Sequence, residues 1–446
     1  MVNYSGYTPS DPAVDSVQSV EPLLAAASLH GYATVGVNMR GTGCSGGAFS
    51  YFETLQSTDG YDIIEAVAAQ PWSTDVGMVG ISYPGISQLF VGQTQPPSLD
   101  ALAPLSVMAD TARSILYPGG VLNNGFATDW AADRTASARP AGQGWAADRI
   151  ADGDAVCAEN QRLKDSAPSI EDAIQPDRHY DPSWMDAVAP RTFVDRISVP
   201  TLLVGAWQDE QTGGHFATMI DELATNVPDL HVILTNGTHV EGLGPDLALS
   251  LLEFLDFHVA KRVPSVSGGL RGGGAPLLFD QIFGDEYELA PDRAWPADYA
   301  TALAQYQAED DIRVSWERGA VGSDGTACAI NGGGGDPCPD GAPLGRFETT
   351  YPSWPAPGTI AREFFLQPDG GLADSASTVP DDEVRGRSSF TYDGPGQGQR
   401  QTFSGSTGAI WDTDAVLDWQ PIPEGQALAF ETDPLAADLP VLGTGS

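Results

Sequence analysis

The stretch that most constrains this chain is Gly80-Ile81-Ser82-Tyr83-Pro84-Gly85, where a serine stands between glycines. It follows the short apolar run 76–79, which is typical of a buried strand, and it precedes the segment 86–91, which has a helical pattern. A tight turn from strand to helix needs small residues beside the serine, because larger side chains would collide with the strand or the helix. The pattern therefore predicts a nucleophile elbow that exposes the Ser82 hydroxyl at a sheet edge. An ordinary glycine-rich turn is the alternative, since Pro84 stands where the second glycine of the usual motif would be.

Strand-like and helix-like segments alternate around this turn. The predicted strands cover 32–39, 76–79, 101–107, 201–205 and 231–234, and the predicted helices cover 13–30, 58–70, 86–91, 214–224 and 246–261. This alternation predicts an α/β fold with a parallel sheet that is covered by helices on both faces.

The alternation is interrupted by residues 109–196, which carry isolated tryptophans and many Ala, Asp and Arg residues but no strand-like run. We expect a mainly helical insertion there. An insertion at the carboxyl ends of a sheet commonly acts as a lid over a site. The core is therefore predicted to consist of residues 1–108 and 197–262.

Beyond Arg262 the composition changes to Gly, Pro, Thr and Ser with short alternating segments, which predicts a β-rich, antiparallel domain over residues 263–446. The few strands expected there would leave an open core, and the segment 2–4 has the pattern of a strand already under way. An incomplete chain is therefore expected, with strands missing upstream and a truncated C-terminal domain.

Charge excludes several classes of partner. The chain has 21 basic and 60 acidic residues, which gives a formal net charge of -39. Such a field repels phosphate backbones and anionic lipids, so we expect neither nucleic-acid nor membrane binding. No apolar stretch is long enough to span a bilayer and the first residues lack the pattern of a signal peptide, so the prediction is a soluble protein, either secreted or cytoplasmic.

The four cysteines do not predict a disulfide scaffold or a structural zinc site, because they are scattered and lack C-x-x-C spacing. Cys328 and Cys338 flank the glycine-rich loop 331–337, which a local disulfide would close. No metal and no cofactor is implied by the sequence.

A nucleophilic serine needs a base, and the base needs an orienting acid. His239 follows the predicted strand 231–234, and Asp209 comes shortly after the predicted strand 201–205, so both should lie at the sheet edge of Ser82. The order Ser82, Asp209, His239 is that of α/β-hydrolases. Asp209 as a helix cap is one alternative, and the neighbouring Glu210 is a second candidate for the acid. His215 more simply starts a helix.

Four motifs resemble those of the cocaine esterase/X-Pro dipeptidyl-peptidase family (CocE/NonD hydrolases). They are Arg40-Gly41-Thr42-Gly43-Cys44-Ser45-Gly46, Gly80-Ile81-Ser82-Tyr83-Pro84-Gly85, Gly205-Ala206-Trp207-Gln208-Asp209 and Asn236-Gly237-Thr238-His239. The resemblance implies an α/β-hydrolase core, a helical cap and a C-terminal jelly roll. It also implies that Ser82 is the nucleophile, Asp209 the acid and His239 the base.

By the same resemblance, the backbone N–H of Tyr83 is one donor of the oxyanion hole. A tyrosine hydroxyl from an early loop is the other, and Tyr7 matches best, with Tyr4 as the alternative. Trp184 and Trp207 are the candidates for contact with substrate.

The resulting prediction is a serine hydrolase that cleaves a small ester or peptide substrate through an acyl-enzyme. The motifs do not distinguish dipeptidyl-peptidase, amino-acid ester hydrolase, acylase and simple esterase. A peptidase of this kind must bind a free amino group, and Asp110 and Asp129 are candidates for that carboxylate, with capping or surface roles as the alternative. A second hypothesis is a binding module on the β domain beside an inactive core, for which Trp354 and Trp411 are candidates unless they are core aromatics.

Overall fold

The computed structural model describes residues 1–12, 22–50, 52–124, 126–164, 174, 179–283, 286–316, 343–367, 370–376, 389–391, 425, 427–437 and 439–443. An eight-stranded sheet organises them in the order β2-β1-β3-β4-β5-β6-β7-β8. Its strands are β1 (Val2–Ser5), β2 (Val35–Asn38), β3 (Val76–Ile81), β4 (Leu99–Leu105), β5 (Thr201–Ala206), β6 (Leu230–Thr235), β7 (Ile312–Trp316) and β8 (Phe347–Tyr351). All neighbouring strands pair in parallel except β8, which is antiparallel to β7.

Helices cover both faces of this sheet. The α-helices are α1 (Pro22–Leu29), α2 (Thr54–Ala68), α3 (Tyr83–Gly92), α4 (Phe126–Ser137), α5 (Gly144–Ala151), α6 (Ala155–Gln161), α7 (Pro182–Met185), α8 (Ile220–Leu223), α9 (Pro245–His258), α10 (Ala275–Phe283) and α11 (Tyr299–Tyr306). On β3, Met78 joins the apolar cluster formed with α2 and α3, whereas Val79 joins the cluster formed with α1, α9 and α11. Burial on both faces explains why the central strands are apolar throughout.

The parallel sheet predicted from the alternation is confirmed, and every core strand predicted before residue 240 overlaps an observed one. The predicted helix over 214–224 begins as a 3-10 turn, Gly214–Met219, and continues as α8. The helix predicted over 13–30 is seen as α1, and residues 13–21 lie outside the part of the chain that the structure describes.

The regular structure described in the insertion 109–196 is helical, with α4 to α7 and several short 3-10 or π turns joined by irregular segments. Trp130 on α4 and Phe193 after α7 pack into the same apolar cluster as α3. A disulfide between Cys44 and Cys157 joins the loop after β2 to α6. The Lys164 ammonium also bonds to the carbonyl of Gly43. The cap is therefore tied to the core beside β2.

The expected start of a β domain at residue 263 is wrong for the segment that follows. Helices α10 and α11 come first, and then β7 pairs with β6 and β8 pairs with β7, so residues 263–351 extend the core. Alternation in the β7 sequence reflects burial of Ile312 and Val314, each 1% exposed. Such alternation indicates a strand but does not identify the sheet that the strand joins.

After β8, the described residues include a separate antiparallel pair, β9 (Phe365–Leu366) and β10 (Leu372–Ala373). Much of the predicted jelly roll lies outside the described residues, as do Cys328, Cys338 and Trp411. The jelly roll is therefore still a prediction. Among the helices that the structure describes, none combines the length and apolarity needed to cross a membrane.

Candidate active site

Ser82 lies at the junction of β3 and α3. Its backbone has φ 63° and ψ -128°. A positive φ is strained for a residue with a side chain, and it is the conformation that an elbow requires. The Ser82 N–H donates to the carbonyl of Leu105 at 2.9 Å, and its carbonyl accepts from the N–H of Ile86 at 2.7 Å. The strained serine is thus held between the neighbouring strand and its own helix.

The two glycines of the elbow have no room for a side chain. A Cβ on Gly80 would lie 2.6 Å from the Pro84 Cβ, and a Cβ on Gly85 would lie 2.7 Å from the Leu105 carbonyl oxygen. Both distances are far shorter than a van der Waals contact. The requirement for small residues is therefore confirmed, and Gly85 fills the role of the second glycine in place of Pro84.

His239 and Asp209 meet in a buried pair at the carboxyl ends of β5 and β6. The His239 Nδ1 atom lies 2.9 Å from Oδ1 and 2.8 Å from Oδ2 of Asp209. Asp209 also accepts from the N–H groups of Gln211 and Thr212, at 2.9 and 2.7 Å, and from the Thr212 hydroxyl at 2.6 Å. These donors fix the carboxylate, which in turn fixes the imidazole ring.

Backbone contacts link the position of His239 to the elbow. The Ser106 hydroxyl donates to the His239 carbonyl at 2.6 Å, while the preceding residue, Leu105, accepts from the Ser82 N–H. Consecutive residues at the end of β4, Leu105 and Ser106, therefore hold the elbow and the backbone of the histidine. With Nδ1 facing the carboxylate, Nε2 carries the lone pair. Nε2 is buried and has no hydrogen-bond partner in this structure, Ser82 Oγ included.

The electrostatics of the pair raise the pKa of His239. Burial by itself lowers the pKa of His239, but the negative charge of Asp209 and the hydrogen bond to it outweigh burial, and the net pKa is raised. Burial likewise works to raise the pKa of Asp209, yet His239 and the Thr212 donors bring it below its usual range. The proton taken up by His239 is therefore stabilised by its partner.

The two alternatives for the acid and base have different positions. Glu210 accepts from the backbone N–H of His239 at 2.9 Å and does not contact the ring. His215 lies on the 3-10 turn after Asp209, as the sequence suggested. Asp209 is thus the carboxylate that orients the imidazole.

Tyr7 and Tyr4 differ in the direction of their hydroxyls. The Trp130 indole N–H donates to the Tyr7 hydroxyl oxygen at 3.0 Å, and the Tyr7 ring meets the Tyr83 ring edge-on at 5.4 Å. The Tyr4 hydroxyl instead donates to the Gln56 carbonyl at 2.9 Å, beneath α2. Tyr7 is therefore the tyrosine beside the elbow.

The two predicted substrate contacts are both partly buried tryptophans packed against the core cluster of α3. Trp207 lies between β5 and Asp209, with its ring 5.9 Å from that of Phe216. Its buried indole N–H lacks a hydrogen-bond partner. Trp184 lies on α7 in the cap. Trp354 also packs against this cluster, as a core aromatic does.

Neither candidate for amine recognition is placed for that role. Asp110 caps the turn 111–116 by accepting from the Arg113 N–H at 2.9 Å, and its carboxylate also contacts the side chains of Arg113 and Arg191 at 2.5 and 3.2 Å. Asp129 is exposed on α4. Their capping and surface interpretations are the ones that the structure supports.

A family model described as "X-Pro dipeptidyl-peptidase (S15 family)" matches residues 1–241. The chain belongs to this family. The matched range contains the elbow, the buried Asp209–His239 pair and the cap. The family resemblance inferred from the four motifs is thereby confirmed.

Individual proteins similar to this S15-family chain cover different shares of it. Two mycobacterial proteins, each named "Putative serine esterase", from Mycobacterium bovis and Mycobacterium tuberculosis, are 33% identical over 102 residues, which is 22% of this chain and 16% of theirs. A CocE/NonD family hydrolase from Staphylococcus aureus has a TM-score of 0.51 at 16% identity, over 84% of this chain and 54% of that one. The chain thus spans a small part of these curated relatives and about half of that structure. The structural likeness shows the α/β-hydrolase fold.

Sequence reasoning missed several residues that build this S15 site. Ser106 and Thr212 hold His239 and Asp209, and Trp130 holds the Tyr7 hydroxyl. Trp130 was visible only as an isolated tryptophan in the insertion. No local signal marks the other two, because their roles arise from contacts between separate loops.

Proposed function

We propose that this hydrolase-family protein is a serine hydrolase that cleaves an ester or amide bond of a small substrate through an acyl-enzyme. Ser82 is the nucleophile, His239 the base and Asp209 the acid. The observation that carries the proposal is the buried His239 ring, which is bonded through Nδ1 to Asp209 and whose Nε2 has no hydrogen-bond partner among the described residues. A hydrogen bond from the Ser82 hydroxyl to this nitrogen would complete the arrangement of a nucleophile and its base.

In the acylation step the Ser82 oxygen attacks the substrate carbonyl carbon and its proton passes to His239 Nε2. The Asp209 carboxylate stabilises the imidazolium that forms. When the tetrahedral intermediate collapses, Nε2 returns this proton to the leaving oxygen or nitrogen. Water then attacks the acyl-enzyme with His239 again as base, and the proton goes back to Ser82 as the acid product leaves.

The oxyanion of each tetrahedral intermediate would be met by the Tyr83 N–H and the Tyr7 hydroxyl. The Tyr83 N–H lies in the first turn of α3, at the positive end of the helix dipole. The indole of Trp130 binds the oxygen of the Tyr7 hydroxyl, so this contact positions the hydroxyl without using its proton. Donors held in place before the reaction stabilise the transition state most.

Within the serine hydrolases we favour an esterase or acylase over a dipeptidyl-peptidase for this chain. A dipeptidyl-peptidase must pair a carboxylate with the free amino group of its substrate. Asp110 is already shared by two arginines, and Asp129 is exposed. The alternative of a binding module gains no support from Trp354, which packs against the core.

Labelling with a fluorophosphonate probe followed by peptide mapping tests the proposal. We expect the probe on Ser82, and we expect Ser82→Ala to lose the label and to lower turnover by about 10⁴ to 10⁶ while far-UV circular dichroism stays unchanged. Ser73→Ala, in the turn after α2, is the matched control and should keep both label and turnover. Labelling of another serine with Ser82 unmodified would refute the assignment.

A further inference from the structure

A cavity of about 390 Å³ lies between the cap and the core. This volume lies within the range of small-molecule sites. Its lining includes Arg113, His179, His215, Tyr117, Tyr180 and Met185. The cavity is thus lined by aromatic side chains and by side chains that carry basic nitrogen atoms.

The charge balance of this lining differs from that of the protein. The chain has 60 acidic residues and 21 basic ones, yet the described residues that line the cavity include one arginine and no Asp or Glu. Cations are therefore attracted less strongly to this cavity than to the rest of the acidic surface. The local field in this cavity favours an anion.

The positive charge of Arg113 is not cancelled by its partner. Arg113 pairs with Asp110 at 2.5 Å, but the same carboxylate is shared with Arg191 at 3.2 Å, so two guanidinium groups face one carboxylate. This group of three carries a net positive charge, and the Tyr180 hydroxyl, beside it, donates to the carboxylate of Asp186. Arg113 also lies over the ring of Tyr180, 3.8 Å from its centroid, which fixes the plane of the guanidinium.

Two walls of the cavity continue from segments that build the candidate active site. Arg113 lies on the turn 111–116 that follows β4 and Ser106, and His215 lies on the turn that follows Asp209. These walls touch each other, since a Cβ on Gly213 would lie 2.9 Å from the Ser114 carbonyl oxygen. A ligand in the cavity would therefore lie beside the segments that hold the triad residues.

We propose that this cavity binds the carboxylate of an anionic substrate, with Arg113 as its charged partner and Tyr117, Tyr180 and Met185 around an apolar or aromatic body. As a substrate subsite it rests on the proposed function, whereas the binding itself does not depend on catalysis. Planar guanidinium groups match carboxylates in geometry and charge. The substrate class is thus an ester or amide that carries a free carboxylate.

Binding to the Ser82→Ala protein separates the two proposals. The probes are N-benzoylglycine and its neutral amide, which share a shape and differ in charge, and the measurement is isothermal titration calorimetry. We expect the acid to bind about tenfold more tightly than the amide. Arg113→Gln should remove most of that preference while the affinity for the amide stays the same.

Arg149→Gln is the matched control. Arg149 is 49% exposed and pairs with Asp154, which caps α6, just as Arg113 is 46% exposed and pairs with the capping residue Asp110. This variant should keep the preference for the acid. His215→Gln is a second change in the lining, and it leaves the Asp110 cap intact. It should weaken binding of the acid more than binding of the amide.

Any one of three results would overturn the subsite. They are equal affinities for the acid and the amide, undetectable binding of the acid at 10 mM (roughly the weakest affinity that a specific charged contact supports), and an unchanged preference in a folded Arg113→Gln protein. If Ser82 fails to react with the fluorophosphonate while the acid still binds selectively, the hydrolase assignment fails and the anion site stands.

Discussion

Nδ1 of His239 lies within 2.9 Å of both carboxylate oxygens of Asp209, and neither side chain is accessible to solvent beyond 1%. A histidine held this way has one tautomer and one ring orientation. In a serine hydrolase that arrangement presents the basic nitrogen to the nucleophile and stabilises the charge that the ring acquires.

The first prediction concerns the acid. Asp209→Asn preserves the shape of the side chain but turns its amide toward the ring, which favours the wrong tautomer, so turnover should fall by about 10⁴. Steady-state kinetics with a chromogenic ester measures this loss.

Glu210→Gln is the control for this change, because Glu210 accepts a hydrogen bond from the backbone N–H of His239, and glutamine keeps an acceptor oxygen there. It should retain turnover within a few-fold at alkaline pH. The opposite ranking of the two variants would make Glu210 the acid.

The second prediction concerns pH. The pKa of His239 is raised, although burial alone would lower it, because Asp209 and, more weakly, Glu210 hold negative charge near the ring. The base works only when deprotonated, so kcat/KM should fall as pH drops through that raised pKa, at a higher pH than an ordinary histidine with a pKa of about 6.5 would give.

Glu210→Gln tests the direction in which the acid limb of the pH profile should move. Removing a negative charge lowers the pKa of His239, so the acid limb of the profile should move to lower pH, while the plateau at high pH stays. A limb that remains fixed or moves to higher pH would show that another group controls it.

The third prediction concerns the tie between cap and core. The Cys44–Cys157 disulfide joins residues 113 apart in the sequence, and closing so long a loop restricts the unfolded chain strongly. Replacing both cysteines by serine should lower the free energy of unfolding by about 2–5 kcal/mol, measured by denaturant titration.

Reductant should lower the free energy of unfolding of the unaltered protein by the same amount. It should not act through this bond on the Cys44→Ser/Cys157→Ser variant, because the variant lacks the bond. Alkylation in denaturant without reductant, followed by mass mapping, checks the pairing itself. Free alkylation of both Cys44 and Cys157 under those conditions would contradict it.

The parts of this structure that the sequence could predict are those that depend on interactions between residues close together in the chain. The elbow and the strands before it are encoded by neighbouring residues, and the glycine requirement at 80 and 85 reflects contacts within one turn and the adjacent strand. Local patterns therefore located Ser82, Asp209 and His239 at strand ends, and parallel pairing brought those ends together.

The rest depends on contacts between distant segments. Trp130 reaches the Tyr7 hydroxyl from 123 positions away, and three α-helices, α9 to α11, separate β6 from β7 in the sequence. Neither contact leaves a periodic signal in the sequence. The same reason explains the error at residue 263, since an alternating strand such as β7 fits an added core strand as well as a separate β domain.

The last prediction concerns the oxyanion hole. If the Tyr7 hydroxyl donates to the developing oxyanion, Tyr7→Phe should lower kcat by about 10² to 10³ and change KM little, because the interaction strengthens only in the transition state. The ring would keep its edge-on contact with Tyr83, 5.4 Å away, so the loss isolates the hydroxyl.

Tyr4→Phe is the matched control, since Tyr4 is the other tyrosine of the same segment and its hydroxyl donates to the Gln56 carbonyl. It should retain turnover and lower the free energy of unfolding by about 1 kcal/mol, through the unsatisfied carbonyl. Circular dichroism melts of both variants separate the two effects. If Tyr7→Phe keeps kcat within a few-fold while remaining folded, Tyr7 is only a packed aromatic beneath the cap, and the second oxyanion donor must come from another residue.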